Sequence, residues 1–206
     1  MQTKKDGIER TIAKEAKKIF LKKGFAQTSM REIAMASDVG LSNIYNYYTS
    51  KDKLFCSIVE PVVKEFTRML ETYHSPQKID VSKKWIPEVT EKAGVEYNSL
   101  VLKYKDLLNL LLFKSAGSSL ENFKEKFTDR ATELMLNYMR MMKNNYPKLR
   151  WDFSPFFIHI NCVQMFTLLE EIIMHNINAE ETKQIFLEYI HYHNFGWKEL
   201  IYNDNE

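Results

Sequence analysis

Glycine and proline are scarce in this chain, six and five among 206 residues. No run of four or more alternating polar and apolar residues reads as a strand, and these shortages together leave an all-helical chain as the expectation. Long apolar runs are missing too. The longest, LLNLLLF at 107–113, is interrupted by Asn109, whereas spanning a bilayer takes about 20 apolar residues. The opening MQTKKDGIERTIAKEAKKIF carries charge throughout, so no secretory signal is read there. The two cysteines, Cys56 and Cys162, sit far apart in apolar helical patterns. They read as buried free thiols rather than a disulfide, which fits a reducing cytoplasm. Catalytic signatures are lacking as well, with no Gly-rich phosphate loop, CxxC pair or HExxH. His191 and His193 are two apart and so point to different helix faces, which argues against a shared metal. The pairs Glu170–Glu171 and Glu180–Glu181 read as solvated helix ends. The expectation is a protein that is not an enzyme, has no cofactor or metal, and does not cross a membrane.

What is present is ordinary in bulk and uneven in detail. Hydrophobic residues make up 45% and charged residues 27%, as in water-soluble globular chains. Residues 1–53 hold 11 Lys/Arg against 6 Asp/Glu, a balance of +5, while residues 54–206 hold 18 against 21, a balance of −3. A basic end on an acidic body suggests an amino-terminal piece that meets a polyanion. Lysines that merely solvate one helix face would give the same count.

In the first fifty residues the spacing decides more. Ile8, Ile12, Ala16, Ile19 and Phe20 recur at intervals of three and four, so residues 7–23 form an amphipathic helix. Gly24 ends it and Phe25 returns to the core. A second helix starts in TSMREIAMAS, where Thr28 or Ser29 caps and Ser29 with Glu32 has capping-box spacing. Met30, Ile33 and Ala34 form its inward face. The turn SDVG needs a residue that tolerates positive φ, and Asp38 does so at modest cost. Val39 plugs into the core, and a third helix runs from about Gly40 to Tyr48 over Ile44 and Tyr48. Helix, short turn, helix is the helix-turn-helix unit, whose second helix enters the DNA major groove.

The exposed side of that third helix carries suitable chemistry. Asn43 and Asn46 can contact adenine in two places at once, Ser42 can meet several base edges, and Leu41 can lie on a thymine methyl. Tyr45 and Tyr47 can reach phosphate oxygens. Thr49 or Ser50 caps a fourth helix, whose free N–H groups and Lys51 ammonium make a second phosphate clamp.

The segment IAKEAKKIFLKKGFAQTSMREIAMASDVGLSNIYNYYTSKDKLF, residues 12–55, resembles the tetracycline-repressor-like (TetR) family of bacterial transcription regulators. It matches the family's order of helix, Gly-aromatic, Thr-Ser, Ile-Ala, turn, Val, aliphatic-Tyr, aromatic and Ser-Lys. The resemblance implies base contacts from Leu41, Ser42, Asn43 and Asn46. It implies phosphate contacts from Thr28, Tyr45, Tyr47 and Lys51. Three departures stand out. Asp38 replaces a usual Gly. GLSN replaces a usual Ser-Lys/Arg-Gly-Thr, so a basic base-reading side chain is missing. Tyr47 stands where His is frequent.

Beyond residue 53 the pattern is of long helices. Leu54, Phe55, Ile58, Val59, Val62, Phe66, Met69, Leu70 and Tyr73 mark the fourth, in which Pro61 predicts a kink near Ser57–Pro61. The stretch YHSPQKID reads as a loop. Helices follow at roughly 81–113, with breaks possible near Pro87 and Gly94, then 119–145, 154–176 and 179–202. Ser154–Pro155 and Asn178 with Glu181 look like helix starts. FFIHINCVQMFTLLEEII, 156–173, is apolar nearly all round until Glu170, so it needs cover on more than one side. The family packs its last two long helices against their copies, which implies a homodimer with two recognition helices about 34 Å apart over a palindrome.

The family's effector pocket lies in the carboxy-terminal bundle. Candidates for its lining are Phe113, Met135, Tyr138, Phe157, His159, Asn161 and Gln164, which suit a small apolar or aromatic effector. The full expectation is an all-α, cytoplasmic homodimer. A three-helix helix-turn-helix DNA-binding domain spans 1–53, and a larger helical bundle for ligand binding and dimerisation spans 54–206. Its function is that of a ligand-responsive repressor on a palindromic double-stranded DNA operator. The alternative is a helical interaction or scaffold protein that binds no specific DNA.

Overall fold

A computed structural model describes residues 2–74 and 87–202. Of the predicted loop YHSPQKID, 73–80, the first two positions belong to a helix, and residues 75–80, with the start of the predicted helix at 81–86, lie outside the described residues. Among the described residues eight helices follow in order: α1 Gln2–Lys23, α2 Met30–Ser37, α3 Leu41–Ile44, α4 Lys51–His74, α5 Pro87–Phe113, α6 Phe123–Asn145, α7 Pro155–Met174 and α8 Ala179–Tyr202. The chain is all-helical, with no strand among the described residues. It divides into two compact units, residues 1–64 with 104–123, and residues 65–103 with 124–206.

In the first unit α1 buries Ile12, Ala16 and Phe20 completely, the positions four apart that its periodicity assigns to one face. Gly24 stops it at φ 80°, with its N–H donated to Phe20 O at 2.7 Å. The chain then delivers Phe25 into an aromatic trio. Phe20, Phe25 and Phe55 stand with ring centroids 5.1–6.0 Å apart. Leu54, Phe55, Val59 and Val62 bury the facing side of α4. The segment 104–123 grips this arrangement from several sides. Lys17 pairs with Asp106, Lys114 O accepts from Phe25 N–H at 2.8 Å, and Asp52 Oδ1 accepts from Ser119 N–H at 2.8 Å.

The second unit is built from longer helices with aromatic seams. Phe66, Phe127 and Phe166 form one seam, with centroids 5.3–5.5 Å apart. Tyr97 stacks on Phe186 in another. A third cluster gathers Tyr138, Met139, Met142, Trp151, Ile158 and Ile201. Gly94 does not interrupt α5. A Cβ there would stand 2.9 Å from Leu187 Cδ2, so glycine lets α5 approach α8 closely. Pro155 opens α7 as expected, although the Ser154 hydroxyl makes no cap bond. Asn178 caps α8, its Oδ1 accepting from Glu181 N–H at 3.0 Å.

Two sequence expectations need correction, the end of α3 and the burial of the cysteines. Helical structure in α3 ends at Ile44 rather than Tyr48, and residues 45–47 continue as a turn. α4 runs on through Pro61. One lost hydrogen bond is tolerated where Ile58, Val59 and Val62 on either side are buried. Non-helical backbone falls at Tyr104 in α5, with φ −121° and ψ 19°. Cys56 and Cys162 are free, but both are only partly buried.

Candidate nucleic-acid interface

The geometry of the interface starts at the end of α2. Ser29 caps that helix by accepting from Glu32 N–H at 3.2 Å, while the Glu32 carboxylate pairs with Lys23 rather than closing the capping box. Ser37 is buried, and its hydroxyl donates to Ile33 O at 2.7 Å. Asp38 adopts the left-handed conformation, φ 53° and ψ 40°. The N–H of Val39 then reaches back to Ala34 O at 3.1 Å, closing the helix end in the Schellman manner. Val39 itself is only half-buried.

Beneath α3 lie its two anchors, Ile44 and Tyr48, both buried. Burial pushes the Tyr48 phenol above its ordinary value, a hydrogen bond with Ser57 opposes this, and Glu9 adds to the rise. Those contacts tie the end of the recognition segment to α4 and α1. Spacing of four puts both anchors on one side, so the residues between them face away. Ser42, Asn43, Tyr45 and Asn46 are exposed, Tyr45 by 46%, and Leu41 and Tyr47 are half-exposed. The Asn46 amide donates to Asn43 Oδ1 at 3.3 Å, which fixes the two side chains relative to each other. The Lys5 ammonium lies 6.0 Å from the Tyr47 ring centroid, adding a cation beside that phenol.

The predicted phosphate contacts divide. Tyr45 and Tyr47 are placed at the surface, whereas Thr28 is only 3% exposed and its hydroxyl donates to Gly24 O at 2.7 Å. Lys51 Nζ donates to Phe25 O at 2.7 Å and Thr28 O at 2.8 Å, and sits 4.1 Å from the Phe25 ring centroid. Burial lowers its pKa. Here Thr28 and Lys51 brace the α1–α2 loop against α4, and Lys51 still contributes its charge nearby. Ser50 supplies the α4 cap, accepting from Lys53 N–H at 3.1 Å.

One exposed residue escaped the sequence reading. Arg31, on the first turn of α2, lines a recess of about 370 Å³ together with Ala34, Met35, Asp38, Val39, Gly40 and Leu41. The available signal was composition: Arg31 is the sole Lys or Arg between Lys23 and Lys51.

Of the residues predicted to line an effector pocket, Met135, Tyr138 and Phe157 meet around one aromatic cluster, while Phe113 falls in the other unit. Phe113 belongs to the first unit and is 38% exposed. Tyr138 and Met135 pack in the Trp151 cluster, and Phe157 lies against Phe153 and Trp197. His159 Nδ1 is 3.3 Å from Thr132 Oγ1, the Asn161 amide donates to Phe157 O, and Gln164 is exposed. Other polar groups of the second unit are more deeply placed. The side-chain oxygens of Asn98 and Tyr189 are buried without a hydrogen-bond partner. Burial raises Tyr189 to about 12, Cys162 above its ordinary value, and Tyr97 further still. Sequence reading passed over them because Tyr and Asn in a helical stripe look like plain core or plain surface.

Three helices around an aromatic core, joined through a left-handed Asp and presenting amides and phenols outward, define a helix-turn-helix domain on an all-helical body. Residues 12–58 match the sequence model described as bacterial regulatory proteins, tetR family, a match confined to the amino-terminal domain. It is 30% identical over 133 residues to the uncharacterized HTH-type transcriptional regulator YfiR of Bacillus subtilis (strain 168), an alignment covering 64% of this chain and 65% of that protein. It is 36% identical over 76 residues to the HTH-type transcriptional repressor NicS of Pseudomonas putida, covering 33% of this chain and 36% of that one. The chain thus spans less than two thirds of either relative. Among solved structures, a TetR-like transcriptional regulator from Rhodococcus sp. RHA1 superposes with a TM-score of 0.60 at 18% identity, covering 92% of this chain and 96% of that one. NalD, the secondary repressor of the MexAB-OprM multidrug efflux pump in Pseudomonas aeruginosa, gives 0.57 at 15% identity, covering 97% and 98%. These two likenesses establish the fold. The relatives found by sequence are transcriptional regulators, not enzymes.

Proposed function

We propose that this chain is a cytoplasmic, ligand-responsive transcriptional repressor that binds a palindromic operator as a homodimer. The observation that carries the reading is the row of Ser42, Asn43, Tyr45 and Asn46, exposed above the buried Ile44 and Tyr48. Amides there suit base edges and phenols suit phosphates. Leu41, Ser42, Asn43 and Asn46 read bases. Tyr45 and Tyr47 position the backbone, while Lys51 and Thr28 act chiefly by holding the frame. Residues 1–53 carry DNA binding, and residues 54–206 carry effector binding and dimerisation.

The dimer reading is supported by apolar side chains left uncovered on the last two helices. Only 28% of the most apolar window of α7 is buried, and its mean hydropathy is 1.4. Phe156 is 69% exposed on α7, and on α8 Tyr192 and Phe195 are 73% and 65% exposed. The length and composition of α7 alone would also suit a bilayer, but its exposed apolar side chains together with those of α8 suit a twofold interface better. The effector reading keeps the predicted lining in the carboxy-terminal bundle, and the buried, unpartnered side-chain oxygens of Asn98 and Tyr189 add polar groups to that unit. An effector acts by binding the DNA-incompetent spacing more tightly.

Binding to a fluorescent operator duplex across a salt series tests the reading. Affinity falls steeply with ionic strength, and Asn46→Ala loses discrimination between specific and random duplex by about five- to a hundredfold. Affinity that ignores both salt and sequence defeats it.

A further inference from the structure

We infer that the operator half-site is read chiefly at A·T pairs, through thymine methyls and adenine edges, with Arg31 the one side chain between residues 24 and 50 that can read guanine in two places at once. This rests on the operator reading above and gives the operator its chemistry.

Guanine is read in two places at once by Arg or Lys. Between residues 24 and 50 the chain has one such side chain, Arg31. The next, Lys51, spends its ammonium on the carbonyls of Phe25 and Thr28. What the recognition turn does present is amide. Because Asn46 donates one N–H to Asn43 Oδ1, the pair keeps the Asn43 NH2, the Asn46 carbonyl and the second Asn46 N–H for an outside partner. An adenine edge offers the matching acceptor N7 and donor N6.

The recess beside these amides supplies the second half of the code. Ala34, Met35, Val39 and Leu41 make most of its lining apolar, and Asp38 and Arg31 bring opposite charges. Met35 is 73% exposed, and a Cβ at Gly40 would meet nothing within 4 Å, so the mouth is open. An acidic side chain in the wall disfavours a phosphate there. A base edge bearing a methyl group suits the apolar wall, and thymine alone among the four bases has one. Flexible methionine adapts to that methyl's position.

The test is selection of bound sequences from a randomised duplex pool with the full chain, followed by chemical substitution in the best site. The expected half-site carries successive A·T pairs where the turn faces the groove. Uracil in place of thymine weakens binding about fourfold per methyl, and this sensitivity disappears in Leu41→Ala. Arg31→Ala, a change at an exposed position, loses discrimination at a single G·C pair and leaves the A·T preferences intact. Inosine·cytosine pairs resemble A·T in the minor groove and G·C in the major groove, and replacing A·T by them weakens binding at least about tenfold. Selected sites with two or more G·C pairs facing the turn overturn the inference. So does indifference to uracil, or inosine·cytosine binding as well as A·T, which means readout by shape. A pool that yields no preferred sequence at all defeats the operator reading itself.

Discussion

The two compact units are built by different means. In the first, single residues decide where each helix ends: Gly24 at φ 80° and Asp38 at φ 53°, Ser29 and Ser50 by their hydroxyls. In the second, helices meet along aromatic seams such as Phe66, Phe127 and Phe166. There, what a side chain does depends on partners distant in sequence. Local punctuation therefore specifies a recognition surface, and long-range packing specifies a bundle whose interior can vary.

The largest expected effects test that contrast in stability. Phe20 is fully buried at the centre of an aromatic trio, so Phe20→Ala costs about 3–5 kcal/mol in chemical denaturation and abolishes DNA binding. Phe156→Ala, at an exposed site, leaves the unfolding free energy of the isolated chain within about 0.5 kcal/mol, while sedimentation shows a weakened dimer. A large stability loss for Phe156→Ala in monomers, or none for Phe20→Ala, would reverse the assignment of roles.

The same contrast sets what was legible beforehand. Helix positions, the left-handed Asp38, the inward pair Ile44 and Tyr48 and the exposed amides all follow from spacing within a few residues. The early end of α3 does not, since Asn43, Tyr45 and Asn46 fit either a last helical turn or a tighter one. Thr28 and Lys51 show a deeper ambiguity. Their chemistry suits phosphate, yet Gly24 O, Phe25 O and Thr28 O stand closer than any phosphate could be inferred to stand. In the bundle, Tyr138 and Phe113 belong to the same residue types as a ligand lining, and nothing in their spacing says that one packs on Trp151 and the other falls in the first unit. Arg31 was visible only as a lone charge, a signal carried by its neighbours' lack of it.

A smaller effect distinguishes the bundle's interior from ordinary surface. Burial raises the Tyr189 phenol to about 12, against an ordinary value of 10.0. With the folded value above the unfolded one, the folded chain holds its proton longer. Stability is therefore intact below pH 10 and falls as pH rises from 10 toward 12. Tyr97 and Tyr48 shift in the same direction and add to the loss. Tyr189→Phe makes the alkaline decline in melting temperature shallower without removing it. An unchanged slope would place that phenol in water, and with it the buried polar site suggested for an effector.

The smallest effects compare two helix starts that look alike in sequence. Asn178 Oδ1 accepts from Glu181 N–H, and the Asn178 amide returns a bond to Glu181 Oε2 at 3.3 Å. Ser154 occupies the equivalent place before α7 with no cap bond from its hydroxyl, and Pro155 already fixes the first φ and has no N–H to satisfy. Asn178→Ala therefore costs about 1 kcal/mol, whereas Ser154→Ala stays within about 0.5 kcal/mol. Urea midpoints of the two variants, compared at equal chain concentration to hold dimerisation constant, read the difference directly. Equal losses would mean that the Ser154 hydroxyl turns to cap α7 in solution, and that both helices of the apolar face begin by the same device.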